Sequence, residues 1–189
     1  MNSFHPLFLR IDEISKQKKG VTIGIDGNSA SGKTSLAALL GSMYPCNIFS
    51  MDDFFLRPGQ RTPERLNEPG GFIDYERFGE EIVEGLKSGA PFRYRRYDCS
   101  TFELYEAGLV EPMPLNVIEG VYSLHQRFIG IYDIKVFLRL DGSAQRGRLA
   151  ERGEYLLDKF ISEWLPMENK YFDYFNIVDK CDFVFDTGD

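Results

Sequence analysis

The stretch Gly27-Asn28-Ser29-Ala30-Ser31-Gly32-Lys33-Thr34 fits G-x-x-x-x-G-K-[ST], the phosphate-cradling P-loop pattern. Val21 to Ile25 runs into it as a short apolar strand, and Ser35 to Leu40 leaves it as a good helix former. Strand, glycine-rich turn and helix is the order the chemistry needs. Glycines let the backbone curl with its N–H groups inward, and the helix N-terminus adds partial positive charge. Lys33 supplies a full charge, and the Thr34 hydroxyl can ligate Mg²⁺. The plain alternative is a Gly/Ser-rich turn that binds nothing; the flanking strand and helix weigh against it.

Composition bounds the surroundings. At 189 residues, 43% of them hydrophobic, the chain has the length and apolar content of one compact domain over residues 1–189. A net charge of −7 argues against a nucleic-acid surface, whereas the charge of a small phosphorylated ligand can be met locally. Cys46, Cys99 and Cys181 stand far apart with no C-x-x-C pair, which reads as reduced thiols and no zinc site. Arg10, Asp12 and Glu13 interrupt any leader-like apolar stretch, and no run approaches the ~20 apolar residues of a membrane span. The cytoplasm is therefore the expected location, with no membrane partner. An aromatic content of 14% would serve a homo-oligomer face as well as a core.

Working outward, residues 6–19 carry Leu7, Ile11 and Ile14 at helical spacing, with Lys16, Lys18 and Lys19 expected at the helix end before Gly20. Beyond the loop, Cys46 to Ser50 reads as a buried strand ending in Met51-Asp52-Asp53-Phe54-Phe55. Ligands of open parallel sheets collect outside the C-terminal strand ends, so Asp52 or Asp53 is placed near the loop; capping is the plainer role. Residues 57–72 form a long loop whose Arg57, Arg61 and Arg65 either close on a phosphate or are solvated. Asp74 caps a helix with Phe78, Ile82, Val83 and Leu86 on one face. Phe92 to Asp98, a polar turn and Leu109 to Glu111 suggest a protruding β-hairpin. Its interleaved Arg and aromatic residues would also suit single-stranded nucleic acid, a partner the acidic charge argues against.

Leu115 to Gly120 makes a third strand, with Glu119 where a P-loop enzyme keeps a carboxylate for Mg²⁺. Asp133 to Leu140 makes a fourth, followed by a helix carrying Arg146 and Arg148, with Arg152 at its end. Residues 154–179 form an aromatic helical stripe that Pro166 should kink or break, and Cys181 to Asp186 is a fifth strand. His5 and His125 stand apart from every motif acid and receive no catalytic role.

Five strands alternating with helices imply an α/β fold: a doubly wound, mostly parallel five-stranded sheet with a small protruding β-hairpin. The order of motifs carries more. The P-loop is followed by Ser50-Met51-Asp52-Asp53-Phe54-Phe55, Gly71-Phe72-Ile73-Asp74, Arg96-Tyr97-Asp98, Val117-Ile118-Glu119-Gly120-Val121-Tyr122 and Glu151-Arg152-Gly153. This series resembles the uridine kinase and phosphoribulokinase-like family over nearly the whole chain. The resemblance implies ATP held by Gly27, Asn28, Ser29, Ala30, Ser31, Gly32, Lys33, Thr34 and Ser35, with Arg148 and Arg152 as lid arginines. It implies Asp52 as the base for the substrate hydroxyl, working with Lys33. Thr34 and Glu119 would hold Mg²⁺, and Asp74, Arg96 and Tyr97 would join Asp52 around the acceptor. An acceptor and lid insertion would span residues 51–114, and an ATP lid residues 142–156. One departure stands out. Uridine kinases place a uracil-reading histidine shortly after the Tyr-Asp pair, where this chain has Cys99-Ser100-Thr101-Phe102.

The expectation is an ATP- and Mg²⁺-dependent kinase that transfers the γ-phosphoryl group to a hydroxyl of a small molecule, a nucleoside or ribosyl compound first. Alternatives are a sugar, a vitamin such as nicotinamide riboside or pantothenate, or a nucleoside monophosphate. A nucleotide-binding regulatory module without turnover is the rival from another class.

Overall fold

In the computed structural model, which describes residues 4–151 and 153–188, the apolar segment before the P-loop is buried along its whole length. That is the signature of a central strand covered on both faces. The strands are β1 (Val21–Gly27), β2 (Cys46–Ser50), β3 (Phe92–Asp98), β4 (Glu103–Val110), β5 (Leu115–Glu119), β6 (Ile134–Arg139) and β7 (Phe183–Asp186). Five of them form a wholly parallel sheet in the order β2-β5-β1-β6-β7, and β3 and β4 pair antiparallel as a separate hairpin. The helices are α1 (His5–Ser15), α2 (Lys33–Met43), α3 (Pro63–Asn67), α4 (Tyr75–Phe78), α5 (Glu84–Ser88), α6 (Gly142–Ala150), α7 (Glu154–Lys159) and α8 (Leu165–Phe175).

Strand alternation divides the core into two layers. Ile23, Ile25, Val117 and Val136 face Leu7 and Ile11 of α1 and Leu36 and Leu40 of α2. Phe49, Ile118 and Phe137 face the opposite layer, where Phe78 of α4 and Tyr171 and Phe172 of α8 are buried. Each fully buried Leu, Ile or Phe contributes about 1.5–3 kcal/mol relative to exposure, so both faces are energetically committed. The sheet's C-terminal edge is thereby fixed where the P-loop begins.

The loop expected over residues 57–72 holds the short helix α3, and three other differences from the sequence expectation have a local reason. The first helix stops at Ser15 rather than continuing to Lys19, and the Lys18 ammonium instead donates to both Asp133 carboxylate oxygens at 2.7 and 2.8 Å. The second hairpin arm starts at Glu103, well before Leu109. There the Asp98 carboxylate accepts from the Ser100 N–H and hydroxyl at 2.7 and 2.6 Å, closing a turn tight enough to pair Asp98 with Glu103. Pro166 falls in the first turn of α8, where its missing N–H costs nothing, and a wide π turn at Phe160–Trp164 joins α7 to α8.

His125 belongs to the core beneath the sheet rather than to any site. It stacks on Tyr75 with centroids 4.0 Å apart and is only 8% exposed. Burial, then the neighbouring Arg127 charge, pushes its pKa down to about 4. The fold thus holds the imidazole neutral while the unfolded chain protonates it near pH 6.5. Its contribution is complete above pH 6.5 and is lost as pH falls toward 4. The stability of wild type relative to a His125→Gln variant should shrink by about 2 kcal/mol between pH 7 and pH 5, as read by urea unfolding. A pH-independent difference would refute it.

Candidate active site

The loop between β1 and α2 is shaped by two glycines and one strained alanine. Gly27 has φ +143°, and a Cβ there would lie 2.2 Å from the Leu138 carbonyl oxygen. Gly32 has φ +92° and opens α2 at Lys33. Ala30 has φ +64°, a left-handed conformation that costs a non-glycine residue about 1–2 kcal/mol. The Lys33 ammonium donates to the carbonyls of Gly27 and Asn28, both at 2.9 Å. Burial lowers its pKa, and the fields of Asp26, Glu168, Glu119 and Asp52 oppose that shift. The Ser31 hydroxyl is buried without a hydrogen-bond partner among the described residues. A buried orphan donor inside an anion-cradling loop fits a phosphate ligand.

Two acids hold this loop from behind, and neither belongs to a motif. Asp26 is fully buried and accepts four hydrogen bonds: from Gly27 N–H at 2.8 Å, Tyr122 N–H at 3.2 Å, Leu124 N–H at 3.0 Å and the Tyr171 hydroxyl at 2.8 Å. It joins the end of β1 to the turn after β5 and to α8. Burial raises its pKa to about 6 against those hydrogen bonds, so its pH dependence runs opposite to that of His125: stability is gained in acid and lost as pH rises through 6. Glu168 of α8 is 4% exposed and accepts from the Ser29 N–H at 3.0 Å and from the Ser29 hydroxyl. A charged residue closing an apolar strand before a P-loop is a readable signal for Asp26. Glu168 sits in an aromatic stripe and offers none.

The expected metal residues meet at the strand ends. The Thr34 hydroxyl lies 3.4 and 3.3 Å from the two Glu119 oxygens. Burial raises the Glu119 pKa, Lys33 opposes the rise, and Asp52 adds to it. A hydroxyl beside mutually repelling carboxylates is a hard, oxygen-only donor set of the kind Mg²⁺ takes. No cluster of three or more His, Cys, Asp or Glu that could hold a metal occurs among the described residues. Mg²⁺ is bound through one or two carboxylates, with phosphate and water filling its shell.

Asp52 is exposed on the short turn Met51–Phe54, whose first N–H groups Ser50 caps: its hydroxyl accepts from Asp52 N–H at 3.4 Å. The neighbouring Asp53 pairs with Arg96 at 3.3 Å, and Arg96 also donates to the Tyr94 hydroxyl. Arg77 of α4, 5% exposed, staples the surroundings by donating to the carbonyls of Asp53 at 2.7 Å and Arg95 at 2.6 Å. Asp74 reaches the same edge because Asp74 N–H donates to Phe54 O at 2.7 Å. Its carboxylate caps α4 through Arg77 N–H at 3.1 Å and accepts from Gln60 at 2.9 Å. Tyr97 is buried, and its hydroxyl has no hydrogen-bond partner among the described residues.

The arginines separate on inspection. Arg65 and Arg95 are committed to Glu76 and Glu81, and Arg57 donates to Gln60. Arg61 donates through Nε to Leu56 O. Arg148 donates to the carbonyls of Ala30, at 3.2 Å, and Thr187, so it grips the loop backbone. Arg152 lies outside the described residues. A separate cleft of about 900 Å³ opens at the opposite sheet edge beside Lys18, Phe92 and Pro114 and carries no motif residue. No described helix is long and apolar enough to cross a membrane.

No family model matches the chain. Uridine-cytidine kinase C of Dictyostelium discoideum is 30% identical over 130 residues, 67% of this chain and 29% of that protein, so the chain spans less than a third of this relative's length. A uridine kinase of Streptococcus pneumoniae is 28% identical over 177 residues, covering 82% of this chain and 81% of its own length. A solved structure described as a possible uridine kinase from Bacillus stearothermophilus covers 96% of this chain and 100% of its own, with a TM-score of 0.68 at 23% identity, a likeness of fold.

Proposed function

We propose that this chain, a uridine kinase-like P-loop kinase by its likeness to curated uridine kinases, transfers the γ-phosphoryl group of MgATP to a hydroxyl of a small molecule, a nucleoside or ribosyl compound first. The observation that carries this reading is the convergence of Lys33, the Thr34–Glu119 pair and the Asp52 turn on one edge of the sheet. Phosphoryl transfer is mostly positioning and charge neutralisation. The loop N–H groups and Lys33 would cradle the donor phosphates, and Thr34 and Glu119 would hold Mg²⁺. Mg²⁺, when bound, neutralises charge on the phosphates. Asp52 would take the acceptor hydroxyl's proton, and Tyr97, whose hydroxyl has no partner among the described residues, would offer that hydroxyl to the acceptor.

One observation favours a second acceptor class. Both Asp74 oxygens are already engaged, by Arg77 and Gln60, so a ribose diol would have to displace Gln60 to reach that carboxylate. A sugar or a vitamin alcohol makes no such demand. The test is ADP release with MgATP across nucleosides, sugars and vitamin alcohols. The reading expects at least one acceptor to raise ADP release about 100-fold or more above the water-only rate, on the scale that acid–base catalysis and positioning supply. Tight MgATP binding with no acceptor-dependent release across the panel would establish the regulatory-module alternative instead.

A further inference from the structure

The tip of the phosphate loop is gripped on every side by side chains that arrive more than a hundred residues later. Glu168 of α8 takes the Ser29 N–H and hydroxyl, and Gln145 of α6 donates to the Ser29 carbonyl at 3.0 Å. Arg148, one turn further along α6, donates to the carbonyl of Ala30. Glu168 and Gln145 are 4% and 5% exposed. The residue at the centre of this grip, Ala30, is the one in the loop that carries a side chain at positive φ. A strained backbone persists where its surroundings over-determine it. Here the surroundings are α6, which lies within the segment read as the ATP lid, and α8, which follows it.

We propose that Glu168, assisted by Gln145, is a positioning residue of the nucleotide site: it pins Ser29 so that Ala30 stays left-handed and the loop is already curled for phosphate. Glu168 touches no reacting group and acts through Ser29. Buried among the loop's donors, its carboxylate is held by hydrogen bonds to Ser29 rather than by an ion pair among the described residues. Burial raises its pKa while those bonds and Lys33 oppose the rise. The inference rests on the kinase reading for its nucleotide, but the clamp itself is made by the chain's own side chains.

The opposite role would be a latch, with Glu168 occupying a donor that phosphate needs. The two roles predict opposite signs. Under the positioning role, Glu168→Ala raises the Kd for MgADP about tenfold, Glu168→Gln recovers part of the loss, and Ala30→Gly in the Glu168→Ala background recovers more. Glycine adopts positive φ without help, which is why it can replace the clamp. Hydrogen exchange of residues 27–34 without nucleotide should quicken about tenfold in Glu168→Ala. Calorimetric titration with MgADP and exchange mass spectrometry read these separately. Tighter MgADP binding by Glu168→Ala establishes the latch and overturns the proposal. So does unchanged Kd with unchanged exchange, or a loss that Ala30→Gly cannot recover. If wild type fails to bind MgADP, the kinase reading falls, and the exchange rates still decide whether the clamp exists.

Discussion

Replacing Asp52 with asparagine is expected to lower kcat about 1000-fold, within the range a positioned general base contributes, while MgATP affinity stays within about threefold. Asparagine keeps the size and the hydrogen-bonding reach of the side chain but cannot accept the proton. Asp52 adds to the rise in the Glu119 pKa and offsets the burial shift of Lys33, so its charge stands within electrostatic reach of both. Removing that charge relieves repulsion toward incoming phosphates, so weaker nucleotide binding is not expected. Steady-state turnover with the best acceptor and a direct MgATP titration separate the two effects. A kcat within tenfold of wild type would remove Asp52 from the chemistry.

The largest effect on stability belongs to Gly27→Ala, expected to cost about 4 kcal/mol or more. A Cβ on Gly27 would meet the Leu138 carbonyl oxygen at 2.2 Å and its nitrogen at 2.8 Å, and all of these are backbone atoms of the neighbouring strand. Gly27 and Leu138 are register partners, so the clash can be relieved only by parting β1 from β6. Domains of ordinary stability hold about 5–15 kcal/mol in total, so the variant should be partly unfolded at 37 °C. Gly32→Ala is the control. Its φ is also positive, but nothing lies within 4 Å of the added carbon, so only the backbone term of about 1–2 kcal/mol applies. Equal urea midpoints for the two variants would show that the strand contact is not what Gly27 protects.

What could be read in the sequence was whatever is local. The P-loop, the apolar strand before it, the Asp74 cap and the Glu119 strand end are each decided within about ten residues, and the parallel sheet follows from their alternation. The hairpin was legible as a hairpin, but its register was not, because that was set by the Asp98–Ser100 turn. Asp26 and Glu168 show the other limit. The partners of Asp26 are Tyr122, Leu124 and Tyr171, and that of Glu168 is Ser29, all brought near by packing alone. The arginines illustrate the same point in reverse. The sequence leaves Arg57, Arg61 and Arg65 open between a phosphate and solvent, whereas Arg65 is spent on Glu76, a partner eleven residues away.

The place of β1 in the sheet has a consequence for how the protein is made. Its two lateral partners, β5 and β6, are encoded about a hundred residues downstream, and the Tyr171 hydroxyl that completes the Asp26 network lies later still. At ~5–20 residues per second, a ribosome leaves this strand, buried along its whole length in the fold, unpaired for on the order of ten seconds. Non-local parallel pairing is also slow to form once the chain is free. The nucleotide site is therefore among the last parts to assemble, and a chaperone that shelters Val21 to Gly27 during synthesis would raise the yield of active protein more than its folding rate.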